Sequence, residues 1–143
     1  MREILFRGKR IDGEWKYGNL LVAGANKDVC YIMEFAEQHY RVETETVGQY
    51  TGIKDRNGKM IFEGDIIHAR YREHDYPHHW AKGYVVFENG TFKINVTESN
   101  NAVEHKMYCD ENVLAFSIEN NFLNRHYKLE VIGNIYDIEE TNA

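Results

Sequence analysis

The densest set of metal-competent side chains lies in the loop YREHDYPHHW, where His74, His78 and His79 sit beside Glu73 and Asp75. Imidazole nitrogens and carboxylate oxygens at close range suit zinc or nickel, and a three-ligand site leaves a position open for an activated water. Two features oppose that reading. His78 and His79 are adjacent, so both reach one metal only if the loop folds back on itself. Pro77 breaks any helix that would set two histidines on one face. A metal-dependent hydrolase built on His74, His78 and His79 is therefore the second alternative, behind a solvated loop or an oligomer contact.

Other chemistry has less support. Glu63 and Asp65 flank Gly64 and share a strand face by alternation, but acids at that spacing describe a polar turn rim as well as a general acid and base. The two cysteines, Cys30 and Cys109, are far apart in sequence, which rules out a CxxC pair. His105 precedes Cys109 by four positions without an identifiable orienting group, and no GxSxG occurs. The expectation is a protein that is not an enzyme and needs no cofactor.

The stretch richest in turn chemistry is ETVGQYTGIKDRNGKMIFEGDII, residues 45–67. As a calcium loop it fails on spacing. Gly58 is fourth from Asp55 rather than sixth, and the twelfth position is Ile66 rather than glutamate. As a phosphate loop it also fails, because its glycines are too far apart and no GK[ST] follows. Gly52, Asn57, Gly58, Gly64 and Asp65 read as turn residues, as do Gly13, Gly90 and Gly133 elsewhere. Tyr50, Thr51, Lys54, Asp55 and Arg56, near a rigid reversal, form a candidate binding surface.

Short strands must carry these groups. Ile4 to Phe6, Asp12-Gly13 and Trp15 to Val22 predict a first hairpin, followed by a strand from Val29 to Met33. Residues 34–45 lack a clear period and predict a short helix or an irregular excursion before Arg41-Val42. Lys59 to Phe62 and Ile66 to Tyr71 predict strands around Gly64, and 72–82 a polar loop. Tyr84 to Phe87 and Phe92 to Val96 predict a second hairpin about Asn89-Gly90, with 98–106 loop-like. Leu114, Ile118 and Phe122 recur every fourth position behind Asp110, which predicts a short helix over 110–124. KLEVIGNIYD predicts a last strand, bent or bulged at Gly133. The fold class is mainly β: a small barrel or strongly bent antiparallel sheets built from hairpins, with one or two short helices. The chain reads as a single domain over 1–143, with a hairpin unit 1–44 and a barrel-like unit 45–143 as a finer division.

Composition agrees. The chain has 143 residues, is 43% hydrophobic and 28% charged, and carries ten Tyr, seven Phe and two Trp. Such an aromatic balance suits half-buried pleated surfaces. A net charge of −6, from 23 acidic and 17 basic side chains, argues against a general nucleic-acid binder. A local basic strip is still compatible with it. A nucleic-acid-binding β-barrel module is the first alternative, with Arg70, Arg72 and Lys82 as contacts. Trp15, Trp80, Tyr84 and Phe92 would be its stacking platforms, although aromatics at strand spacing are more often core. No signal-like apolar stretch follows Met1 and no run approaches the ~20 residues of a span, so the expected location is the cytoplasm, with reduced, buried thiols.

Four blocks together resemble one family. ILFRGKRIDGEWKYG, TVGQYTGIKDRNGKMIFEGDII, YVVFENGTF and LEVIGNIYD stand in the order found in the YopX family of small phage and prophage proteins. Residues 24–44, 72–80 and 97–126 depart from it. The resemblance implies a predominantly β fold, phage or prophage origin and self-association. It supplies no reaction, cofactor or catalytic residue. The resulting expectation is a phage accessory protein acting by binding a host or phage protein or a small ligand, as a homo-oligomer, away from membranes.

Overall fold

The structure, a computed structural model, describes residues 3–35, 38–71, 80–99, 109–110, 113–115 and 127–137. The chain divides into two compact units, Met1–Gly52 and Ile53–Ala143. Both are antiparallel β-structure, built as open sheets and not closed into a barrel.

In the first unit, β1 (Phe6–Lys9), β2 (Trp15–Ala23), β3 (Val29–Phe35) and β4 (Gln38–Val42) form successive hairpins, and β5 begins at Gly48 (Gly48–Lys54). Their order is β4-β3-β2-β1-β5. The predicted Asp12-Gly13 turn closes the first hairpin, with Gly13 at φ +92°. One face of this sheet packs Cys30, Ile32 and Val42 with Phe6, Leu20 and Val47. Gly8 is needed there, since a Cβ on it would lie 2.6 Å from Val42 Cγ2. Residues 38–42 are a strand, not the predicted helix or irregular excursion. Cys30↔Val42 and Tyr31↔Arg41 pairing recruits them to the sheet, where long-range ladder contacts override a weak local pattern. A 3₁₀ turn, Thr44–Thr46, follows. Thr46 Oγ1 accepts the Lys9 backbone N–H at 2.8 Å and donates to the Glu43 carbonyl at 2.6 Å.

In the second unit, the end of β5 turns at Asp55 into β6 (Met60–Phe62). Then come β7 (Asp65–Tyr71), β8 (Trp80–Glu88), β9 (Thr91–Ser99), β10 (Cys109–Asp110), β11 (Val113–Ala115) and β12 (Tyr127–Asn134). The sheet order is β10-β11-β9-β8-β7-β12. Its buried face is one cluster including Ile67, Ala69, Ala81, Val85, Ile94, Tyr127 and Leu129. β8 starts at Trp80, earlier than predicted, because Trp80 and Ala81 pair with Arg70 and Ala69. The helix predicted over 110–124 is contradicted in its described part. Val113–Ala115 pair with Asn95, Ile94 and Lys93 as a strand, and a short apolar run does not distinguish helix from strand. Residues 111–112 and 116–124 lie outside the described residues. Among the described residues no α-helix occurs, and no helix is long and apolar enough to cross a membrane.

Candidate functional site

The central stretch folds as a cross-linked turn. Asp55 Oδ1 accepts the backbone N–H groups of Asn57 (2.8 Å) and Lys59 (2.9 Å), the geometry of an Asx turn. Asp55 Oδ2 accepts Val131 N–H at 3.0 Å, and Arg56 N–H donates to the Leu129 carbonyl at 2.8 Å, so β12 is tied to the turn twice. Burial pushes the Asp55 carboxyl up, but the N–H donors of Val131, Lys59 and Asn57, with the Lys59 charge, outweigh it and leave it below the ordinary carboxylate value. Asp65 is 1% exposed, and its Oδ2 accepts Phe62 N–H at 2.8 Å across the Glu63-Gly64 turn. Gly64 holds φ +87°, donates to the Val85 carbonyl and accepts from Ile135 N–H. The two carboxylates thus serve backbone donors, and neither is presented to solvent as an acid or base.

That placement narrows the predicted recognition surface. Tyr50, Thr51 and Asp55 are buried, and Lys54 and Arg56 alone of the five are exposed. Of the predicted turn residues, Gly13, Gly52, Gly58, Gly64 and Gly90 take positive φ, whereas Asn57 does not. Gly133 sits at the register shift of β12 against β7. His74, His78 and His79, with Arg72, lie outside the described residues. Among the described residues no group of three or more His, Cys, Asp or Glu could hold a metal ion. Cys30 is a buried free thiol.

Two sheet faces carry exposed chemistry instead. In the first unit, the face opposite the core takes Trp15, Tyr17, Asn19, Leu21 and Ala23 from β2, Val29, Tyr31 and Met33 from β3, and His39 and Arg41 from β4. Tyr17 is 39% and Leu21 45% exposed. Tyr31 and His39 meet edge to face at 5.5 Å, and the Arg7 guanidinium lies 4.7 Å from the centre of the Trp15 ring. Among the described residues, none of these strand positions carries a carboxylate. Sequence reading missed it because β4 was not recognised. The alternation in WKYGNLLVA, polar to apolar towards its end, was the available signal.

In the second unit, the face opposite the core aligns Lys128, Arg70 and Trp80 in one cross-strand row and Glu130, His68, Lys82 and Glu98 in the next, followed by Ile66, Tyr84 and Asn95. Asn95 Nδ2 donates to the Tyr84 hydroxyl at 2.7 Å. The His68 and Trp80 rings are 5.5 Å apart. Burial, then the Arg70 and Lys82 charges, hold His68 below its ordinary value against the opposing pull of Glu130. Of the four predicted stacking aromatics, Trp80 and Tyr84 share this face, Phe92 is buried in the opposite one, and Trp15 belongs to the first unit.

Comparison with curated proteins and with solved structures found no match. The YopX protein family matches residues 6–140, nearly the whole chain and all but the first two residues of the four blocks that carried the resemblance, and the chain therefore belongs to the YopX family.

Proposed function

We propose that this is a phage or prophage accessory protein that works in the host cytoplasm by binding a protein partner, without catalysing a reaction. The observation carrying this is the solvent face of β2–β4. Exposed Tyr17 and Leu21 with half-buried Tyr31 and Met33 present apolar and aromatic area on one sheet face, with His39 and Arg41 as its polar edge. Fixed aromatic and apolar groups with a cationic rim are the composition of interface hot spots. The exposed Arg41 beside these apolar groups suits a partner segment that mixes apolar and acidic side chains.

A photo-crosslinking residue at position 21 tests this in cells carrying the phage or prophage. One discrete adduct to another protein, absent when the crosslinker is at position 27 in the β2–β3 turn, is the expected result. Equal adducts from both positions, or none from position 21, would remove the reading. A second reading, a homo-oligomer, is favoured by the terminal place of β4 in the sheet order, with Gln38, His39 and Arg41 exposed. An end strand offers N–H and C=O groups to a second copy. A crosslinker at position 39, on the end strand, would then give an adduct with the mass of two chains.

A further inference from the structure

We infer that the outer face of the second unit's sheet is a binding surface for single-stranded nucleic acid. Net charge argues against this for the chain as a whole, but the register gathers the relevant groups locally. Arg70 of β7, Lys82 of β8 and Lys128 of β12 stand on one face, with Arg70 directly opposite both Lys128 and Trp80. Diagonal neighbours such as Arg70 and Lys82 are separated by about 7–8 Å between Cα atoms. The cations therefore form a patch, not isolated points. Trp80 and Tyr84 share one face of β8 on either side of Lys82, and His68 packs beside Trp80.

Two kinds of contact are thus available side by side. Cations track a phosphate backbone, and ring faces stack bases without reading sequence. A duplex buries its base faces, so the aromatic half of this surface has use only for an unpaired strand. The acids on the face are consistent with this assignment. Glu98 meets Lys82 at 3.7 Å with both side chains well exposed (60% and 40%), and a pair of that kind is weak enough for a phosphate to displace. Glu130 lies opposite His68 in the second row, flanked along β12 by Lys128. Glu88 is at the far hairpin end of β8.

The test is fluorescence anisotropy of the full chain with a labelled single-stranded oligonucleotide of mixed sequence, its duplex, and a sulfated polysaccharide as a base-free polyanion. The triple variant Arg70→Gln, Lys82→Gln, Lys128→Gln changes exposed or half-exposed side chains and leaves the core untouched. Expected is saturable binding to the single strand, weakened by salt, tighter than to the duplex or the polysaccharide. The triple variant should bind on the order of a hundredfold less well, with the log–log salt slope lowered by about 2. Lys27→Gln, in the first unit, should bind as wild type. Trp80→Phe should keep part of the affinity, while Trp80→Leu should lose on the order of tenfold. No saturable binding at low salt, equal binding to duplex or polysaccharide, or an unaffected triple variant whose circular dichroism is native would each overturn the inference.

Discussion

The Asp55 carboxylate accepts the backbone N–H of Val131, a residue 76 positions further along the chain, at 3.0 Å. The same carboxylate holds Asn57 and Lys59 N–H groups, so one side chain both shapes the DRNG reversal and fastens it to β12. The DRNG reversal is thereby fastened to the last strand within the second unit.

Asp55→Ala removes the acceptor for three backbone donors, one of them remote. We expect a loss of about 2–4 kcal/mol of unfolding free energy, seen as a lower denaturant midpoint with an unchanged slope. Asp55→Asn retains some of the turn bonds and should lose less. The folded carboxyl lies below its ordinary value of 3.8, so its contribution is present above that value and disappears as pH falls through the lower, folded one. Acid unfolding of wild type should accordingly steepen below about pH 4, and this component should be missing in Asp55→Ala.

Glycines that look alike in sequence should respond differently. Gly64 and Gly58 both hold positive φ, but a Cβ on Gly64 would come 2.7 Å from Tyr136 Cε2, whereas Gly58 has nothing within 4 Å. Gly58→Ala should lose about 1 kcal/mol from backbone strain alone, and Gly64→Ala clearly more. Gly83→Ala should be the most damaging, because its Cβ would strike the backbone of Asn95 and Val96 at the β8–β9 register shift. Gly133→Ala meets open space and should fall within about 0.5 kcal/mol of wild type. Thermal unfolding of the four variants would rank them.

His68 should titrate below the ordinary 6.5, because burial and then the charges of Arg70 and Lys82 disfavour its protonated form more than Glu130 favours it. The folded state then binds fewer protons than the unfolded one, so stability falls as pH drops through the interval below 6.5. A proton NMR titration of the His68 ring checks the direction. Lys82→Gln should move the midpoint upwards, and a wild-type midpoint at or above 6.5 would contradict the arrangement.

Much of this was legible before folding. Asp12-Gly13 and Asn89-Gly90 announced their hairpins, because few residues take positive φ, and the alternation in FKINV marked β9. A bend or bulge is expected at Gly133, and the register of β12 against β7 shifts between Val131 and Gly133. What local pattern did not carry was pairing at a distance. Residues 38–42 and 113–115 become strands through partners elsewhere in the chain. The burial of Tyr50, Thr51 and Asp55 within the candidate surface was hidden for the same reason. Polar side chains in a turn look exposed in sequence, yet Asp55 is buried by its long-range acceptor role. The faces bearing Leu21 and Tyr31, and Arg70 and Lys82, emerge only from strand register.

Native mass spectrometry of untagged protein isolated gently from its bacterial host, with wild type and Leu21→Asp side by side, asks whether the β2–β4 face holds a protein partner. We expect a protein-sized increment on the wild-type chain that is lost in Leu21→Asp, while the variant keeps its fold. Chain mass or whole multiples of it with nothing added, a metal- or nucleic-acid-sized increment alone, or a protein increment that survives Leu21→Asp would contradict binding of a protein partner through the β2–β4 face.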